Sequence, residues 1–243
     1  MSNNNYTKNF KVMSSYCDSV NRLSPFMMQT LFEELADANA TALGIDQPTL
    51  MQRDNAFWVV RRIKFEFKSV VKDHEDVILK TWPSGPEVLR CFRSYQILKP
   101  DMTPAVNSVA EWVILDKETR RLRKTDSVQY PDIQFITEKA CEPTFKRFKD
   151  DFTEDDFVYE KVIRACDIDI SHHTNNTKYC MMILDSFSVK ELETMILKEL
   201  EIHYEAESLE GDILRIYRKK VDDEWHFAIK KDGKVVTYAN IGI

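Results

Sequence analysis

The chain has 243 residues, 43% of them apolar with 14 Phe, enough to fill one large core or two small ones and too apolar for a disordered polymer. A net charge of −6 argues against a nucleic-acid partner held by counterion release, and no apolar run approaches the length that spans a bilayer. The Asn-rich start is unlike a secretory leader, and five cysteines, odd in number and without a Cys-x-x-Cys pair, argue against a disulfide framework and a zinc ribbon. The expectation is a soluble, cytoplasmic protein with reduced thiols, bound to neither membrane nor nucleic acid.

Residues 10–16, FKVMSSY, alternate as a strand does. Ser24-Pro25 then marks an N-cap and first turn, and apolar residues at Met27, Met28, Leu31, Phe32, Leu35 and Ala36 predict a helix closed by Gly44. Its Met and Phe stripe is apolar on more than one side, so a sheet should wrap it; the stripe is core, and its inner side could also line a tunnel. Strand patterns follow at 57–67, 76–82, 88–98 and 107–116, with PSGP at 83–86 and the polar stretch 99–103 as turns. Lys117–Lys124, KETRRLRK, is the sharpest basic run; it reads either as a solvated turn or as a docking patch for an acidic partner.

From about Lys139 to Asp156 the pattern dissolves into charge, which predicts a linker over 141–156 between units at 1–140 and 157–243. The first unit is nearly neutral, and the surplus of acid lies after residue 140. Beyond the linker a strand pattern at 157–165, a polar loop at 166–174 and a helix at 175–187 repeat the opening order. Strand patterns at 196–208 and 212–221 and a hairpin turning at Asp232-Gly233 complete the chain. YCDSVNRLSP (16–25) and ACDIDISHHTNN (165–176) each pass from Cys-Asp through a polar bend into a helix, and the two Cys-Asp pairs lie 149 positions apart. A duplicated unit of one long helix wrapped by an antiparallel sheet predicts an α+β fold, a tandem hotdog.

Several of these pieces, in this order, are similar to the acyl-acyl carrier protein thioesterases of plants and bacteria: YCDSVNRLSP with its helix, FWVVRRIKF, TWPSGPEVLRCFRSYQI, AEWVILDKETRRLRK, the loop from Asp167 with Arg164 upstream, and YEAES. That family's loop resembles Asp-x-Asp-x-Asn-x-His-x-Asn-Asn-x-Lys-Tyr. Asp167, Asp169, His173, Asn175, Asn176, Lys178 and Tyr179 match it, while Ser171 stands where the family has Asn. On a later strand the family pairs Glu with Cys, and here the pair is Glu207-Ser208.

The resemblance implies Asp169, His173 and Glu207 as the functional set, with Ser171 among them as a departure. It also implies an acyl pocket and carrier docking in the first unit and catalytic residues in the second. Acyl carrier protein would be the partner, which gives the basic run, together with Arg61, Arg62 and Lys64, a reason to exist. No cofactor or metal is implied, and homodimerisation is left open.

The residues can supply the chemistry. A thiol leaving group with a pKa near ~8.5 needs little help to depart, so activating water and holding the oxyanion carry the burden. A helix starting at Asn175 and Asn176 presents free N–H groups to a carbonyl oxygen. His173 can bond water or substrate, and Asp169 can fix its tautomer. Glu207, expected on an inner strand and desolvated, is assigned as the base, with Asp169 and His173 as the alternative base pair. Without Cys at 208 or Asn at 171, a thiolate mechanism cannot operate, and direct attack by water replaces it.

The bland reading of 167–176 is a capped polar turn, His172 is a surface neighbour, and Asp167, Lys178 and Tyr179 are structural. A metal site from Asp167, Asp169, His172 and His173 is set aside because the histidines lack helical spacing. The rivals are an acyl-coenzyme A thioesterase and a non-catalytic acyl-binding module.

Overall fold

Pro25 takes the first position of helix α1 (Pro25–Leu43), where its missing N–H is no loss, and Gly44 ends the helix in the left-handed region at φ 66°. Ser24 sits at the cap, but its hydroxyl bonds Tyr16 O (3.2 Å) instead of a helix amide. These elements belong to a computed structural model that describes residues 4–243. The strands of the first half are β1 (Tyr6–Lys11), β2 (Ala56–Phe67), β3 (Asp76–Pro86), β4 (Cys91–Leu98), β5 (Pro104–Asp116) and the short β6 (Leu122–Arg123), with a further helix α2 (Gln47–Arg53). The second half has β7 (Phe157–Val162), α3 (Asn176–Asp185), α4 (Val189–Thr194), β8 (Glu199–Tyr204), β9 (Ile213–Val221), β10 (Glu224–Lys231) and β11 (Lys234–Gly242).

The strand expected at 10–16 is displaced. The ladder uses Tyr6–Lys11 on an exposed edge, where alternation is not enforced, and Ser14–Tyr16 form a 3₁₀ turn. PSGP is not the turn: Pro83 and Pro86 stay in β3 at a register shift, the place where a sheet tolerates proline, and the chain reverses at Glu87–Arg90. The two short helices α2 and α4 went unpredicted. Asp232-Gly233 is the expected hairpin turn, with both residues left-handed at φ 50° and 74°.

The sheet runs β1-β3-β4-β5-β2-β8-β11-β10-β9-β7, with β6 added on β5. Two five-stranded halves meet where β2 pairs antiparallel with β8, Ile63 opposite Ile202. α1 and α3 pack on each other against one face of this sheet, and residues of both halves share a single core. This is a tandem hotdog.

The duplication is real but its register differs from the Cys-Asp alignment. Asp18 Oδ1 accepts from Val20 N and Arg22 N, and Asn21 is left-handed; Asp169 Oδ1 accepts from Ser171 N, and His172 is left-handed. Asp18 therefore matches Asp169, not Asp167, and equivalent positions lie 151 apart, as do the starts of β1 and β7 and of α1 and α3. Asp167 is instead tied to its own turn, accepting from Arg164 N and pairing with Lys161.

Residues 128–153 form no helix or strand. They cross the sheet face opposite the helices, where Ser94 Oγ accepts from Ala140 N (3.0 Å), Glu201 accepts from Lys146 N (2.7 Å) and Phe148 stacks on Tyr238. No described helix is long and apolar enough to cross a membrane.

Candidate active site

Between a 3₁₀ turn at Ala165–Asp167 and α3, the chain makes a tight bend closed by an Ile168–Thr174 bridge and by Asp169 N donating to His173 O (3.0 Å). The left-handed backbone of His172 (φ 64°) turns the bend and leaves Asp169, Ser171 and His173 as neighbours. Ser171 Oγ donates to Asp169 Oδ1 at 2.5 Å and lies 3.3 Å from His173 Nδ1. Asp169 therefore holds Ser171, whose Oγ packs against the Nδ1 edge of the imidazole, and no direct hydrogen bond joins Asp169 to the ring. On the other side of the ring, His173 Nε2 is 3.1 Å from Glu207 Oε2. An ionised carboxylate only accepts, so this contact fixes the tautomer with the proton on Nε2.

Glu207 is not on a strand and is not desolvated, contrary to expectation. β8 ends at Tyr204, where Glu205 N and Ala206 N both turn to Val236 O, and the carboxylate beyond is 43% exposed. Its second oxygen is paired with Arg120, which also lies over the Phe57 ring at 4.9 Å. A row of five side chains results: Asp169, Ser171, His173, Glu207, Arg120. Among the described residues, no group of three His, Cys, Asp or Glu could hold a metal ion.

Ser208 stands apart from this row. It is fully buried, its hydroxyl donates to Thr174 Oγ1 (2.8 Å), and Tyr179 OH lies 2.7 Å away, so its proton is committed and no base faces it. It fastens the loop and is not placed to attack a substrate.

Asn175 is the N-cap of α3. Its side chain accepts from Thr177 N (2.9 Å), and its carbonyl accepts from Lys178 N (2.9 Å). Asn176 N has no hydrogen-bond partner among the described residues, which leaves one first-turn amide open at the positive end of the helix.

Sequence reasoning missed two residues. Arg120 was assigned to the docking run, but a left-handed turn (φ 56°) closed by its own amide on Asp116 O aims it at Glu207. Glu33 of α1 lines a cavity in the first half together with Ala36, Ala40, Trp58, Trp112 and Phe135. Burial pushes its carboxyl up to about 7, against the lowering effect of hydrogen bonds from Gln29 and Asn175 and with a further rise from Asp169. The available signal was a polar pair one turn apart, Gln29 and Glu33, inside an otherwise apolar stripe.

The sequence matches two family models in order: the acyl-ACP thioesterase N-terminal domain over residues 3–129 and the C-terminal domain over 151–241. The chain belongs to the acyl-ACP thioesterase family. It is 24% identical over 225 residues to oleoyl-acyl carrier protein thioesterase 1, chloroplastic, of Arabidopsis thaliana, covering 86% of this chain and 62% of that one. A palmitoyl-acyl carrier protein thioesterase, chloroplastic, of Gossypium hirsutum is 23% identical, covering 86% and 52%. The chain thus spans between about half and three-fifths of the length of these relatives.

Among solved structures, an acyl-ACP thioesterase from Bacteroides thetaiotaomicron superposes with a TM-score of 0.87 at 24% identity, covering 98% and 97% of the two chains. A 12:0-ACP thioesterase from Umbellularia californica gives 0.86 at 15% identity, covering 100% and 98%. Both share the fold of this acyl-ACP thioesterase family member across its two halves.

Proposed function

We propose that the protein hydrolyses the thioester of a fatty acyl group on acyl carrier protein, releasing a free fatty acid and the carrier thiol. The observation that carries this reading is the Glu207–His173 contact beside the open amide at the start of α3. Water reaches Glu207 because the carboxylate is exposed. Glu207 takes a proton as the water oxygen attacks the carbonyl carbon, and the oxyanion forms at Asn176 N. The carbon–sulfur bond then breaks, and the proton passes from Glu207 to the departing sulfur. Arg120 and His173 hold one carboxylate oxygen each, and Asp169 holds Ser171 against the Nδ1 edge of the ring. The acyl chain lies in the first-half cavity, whose wall is largely aromatic and aliphatic. Five free cysteines are what a reducing cytoplasm leaves.

A thiol-release assay over carriers loaded with chains of graded length tests this. The wild type is expected to turn over acyl-acyl carrier protein faster than the matched acyl-coenzyme A, and His173→Ala to lower kcat about a hundredfold. Binding of acyl carrier without thiol release would replace the hydrolase with an acyl-binding module, and faster turnover of the coenzyme A ester would change the carrier.

The docking patch is smaller than the basic run suggests. Arg61 pairs with Glu205, Arg62 with Glu111, Lys64 with Glu199, and Arg123 is bound to Asp54 O and Ser127. Arg121, Lys117 and Lys124 are exposed and have no ion-pair or hydrogen-bond partner among the described residues beyond their own backbone. Arg121→Glu with Lys124→Glu is expected to raise KM for the acyl carrier several-fold and to flatten its dependence on salt, with kcat unchanged. An unchanged KM at low ionic strength would remove this face from docking.

A further inference from the structure

Gln29 and Glu33 stand one turn apart on α1, whose Met28, Leu31, Phe32 and Leu35 are buried. Polar groups on such a face are costly unless they are paired or used. Gln29 is 2% exposed and directs Nε2 to Glu33 Oε1 (3.3 Å) and to Tyr204 OH (2.9 Å). From the second half, Asn175 and Asp169 are close enough to act on the charge of the Glu33 carboxyl, the first lowering and the second raising its pKa. Glu33 also forms part of the cavity wall beside Ala36. It therefore marks the point where the first-half cavity meets the helix start and catalytic loop of the second half.

We propose that Glu33 is a catalytic residue that touches the thioester, its protonated carboxyl donating a hydrogen bond to the carbonyl oxygen from the α1 side while Asn176 N donates from the α3 side. This rests on the hydrolase reading. Besides Gln29 and Asn175, the groups facing Glu33 are Asp169 from the loop, Tyr204 from β8, Tyr95 from β4 and Cys180 from α3. The one cation that shares this cavity wall, Arg93 of β4, donates to Asn39 Oδ1 (2.8 Å) and is not among the groups acting on Glu33, so burial prevails and the carboxyl holds its proton up to about pH 7. As the carbonyl oxygen gains charge the hydrogen bond strengthens. Glu33 keeps its proton throughout, no bond to it is made or broken, and proton traffic stays with Glu207.

The test compares wild type, Glu33→Gln and Glu33→Ala on the acyl-acyl carrier protein that the wild type hydrolyses fastest, with kcat measured from pH 5.5 to 9. Glu33→Ala removes the donor and is expected to lose ~10²–10³ in kcat. Glu33→Gln keeps a neutral donor and is expected to stay within about tenfold of wild type. The wild-type decline as pH rises through about 7, where Glu33 ionises and stops donating, is expected to vanish in Glu33→Gln. Should Glu33→Ala fail to fold, the pH profile of the near-isosteric Gln variant decides alone.

Glu33→Gln as inactive as Glu33→Ala would overturn the proposal, because an ionised carboxylate would then be required. So would a wild-type kcat and pH profile in a folded Glu33→Ala. A wild type that releases no thiol from any acyl carrier would overturn the hydrolase reading, and this proposal with it.

Discussion

Glu207→Gln is expected to lower kcat by ~10²–10⁴ while leaving KM for the acyl carrier within about twofold. The amide keeps the size and hydrogen-bonding reach of the carboxylate but takes no proton from water. Gln has one acceptor oxygen for the two that Arg120 and His173 Nε2 use, so its oxygen keeps Arg120 and its amide group donates to Nε2 once the imidazole holds its proton on Nδ1; with that one change the row of side chains should persist, and the loss reports proton transfer and not collapse of the site. A thermal midpoint within a degree or two of wild type is the companion measurement. If Glu207→Gln retained wild-type kcat, the base would move to the Asp169, Ser171 and His173 group. Glu207→Asp is an informative intermediate, since a shorter acid cannot reach both Arg120 and a water above His173.

The geometry of the loop was legible in the sequence because it is local. Asp169, Ser171 and His173 fall within five positions, and the bend that joins them needs only an Asx turn and one left-handed residue. Asn175 as a cap and Gly44 as a helix stop were legible for the same reason. Glu207 could be named only through family resemblance, and its setting was misjudged: a residue in a run of strand pattern, YEAES, lies past the point where backbone amides leave the ladder. Arg120 and Glu33 were missed because their roles exist only between halves. Arg120 belongs to the turn after β5 and meets a carboxylate beyond β8, and Glu33 belongs to α1 and meets the cap of α3.

The duplication also shows why, of two polar bends of one geometry, only the second can serve the proposed mechanism. In the first copy Arg22 occupies the place of His173, and its guanidinium is spent on Asp18 (2.7 Å) and on Met195 O (2.9 Å). Its charge is fixed and it carries no lone pair for a proton, so the bend serves as a clasp between the loop before α1 and the end of α4. The duplicated scaffold thus has two bends of one geometry, and residue type alone separates the bend proposed to face the base from a structural one.

Phe32→Ala is expected to cost about 3–5 kcal/mol of stability, read as a lowered urea midpoint with the slope unchanged. Phe32 is 1% exposed and stacks between Tyr95 (centroids 4.8 Å apart) and Phe65 (5.7 Å), so truncation removes ring contacts on both sides and leaves a void that the sheet cannot close. Phe32 lies in the first half, yet its core also contains Ile183, Leu200, Ile202 and Phe227 from the second, and the halves share the β2–β8 ladder. The destabilisation should therefore appear as one transition: amide protection on β8 and β11 should fall together with that on β4 and β5. Val88→Ala, at a side chain 71% exposed, is the control and should shift stability by less than about 0.5 kcal/mol. Two separate transitions, with only the first-half strands losing protection, would show that the duplicated units fold independently despite their common sheet.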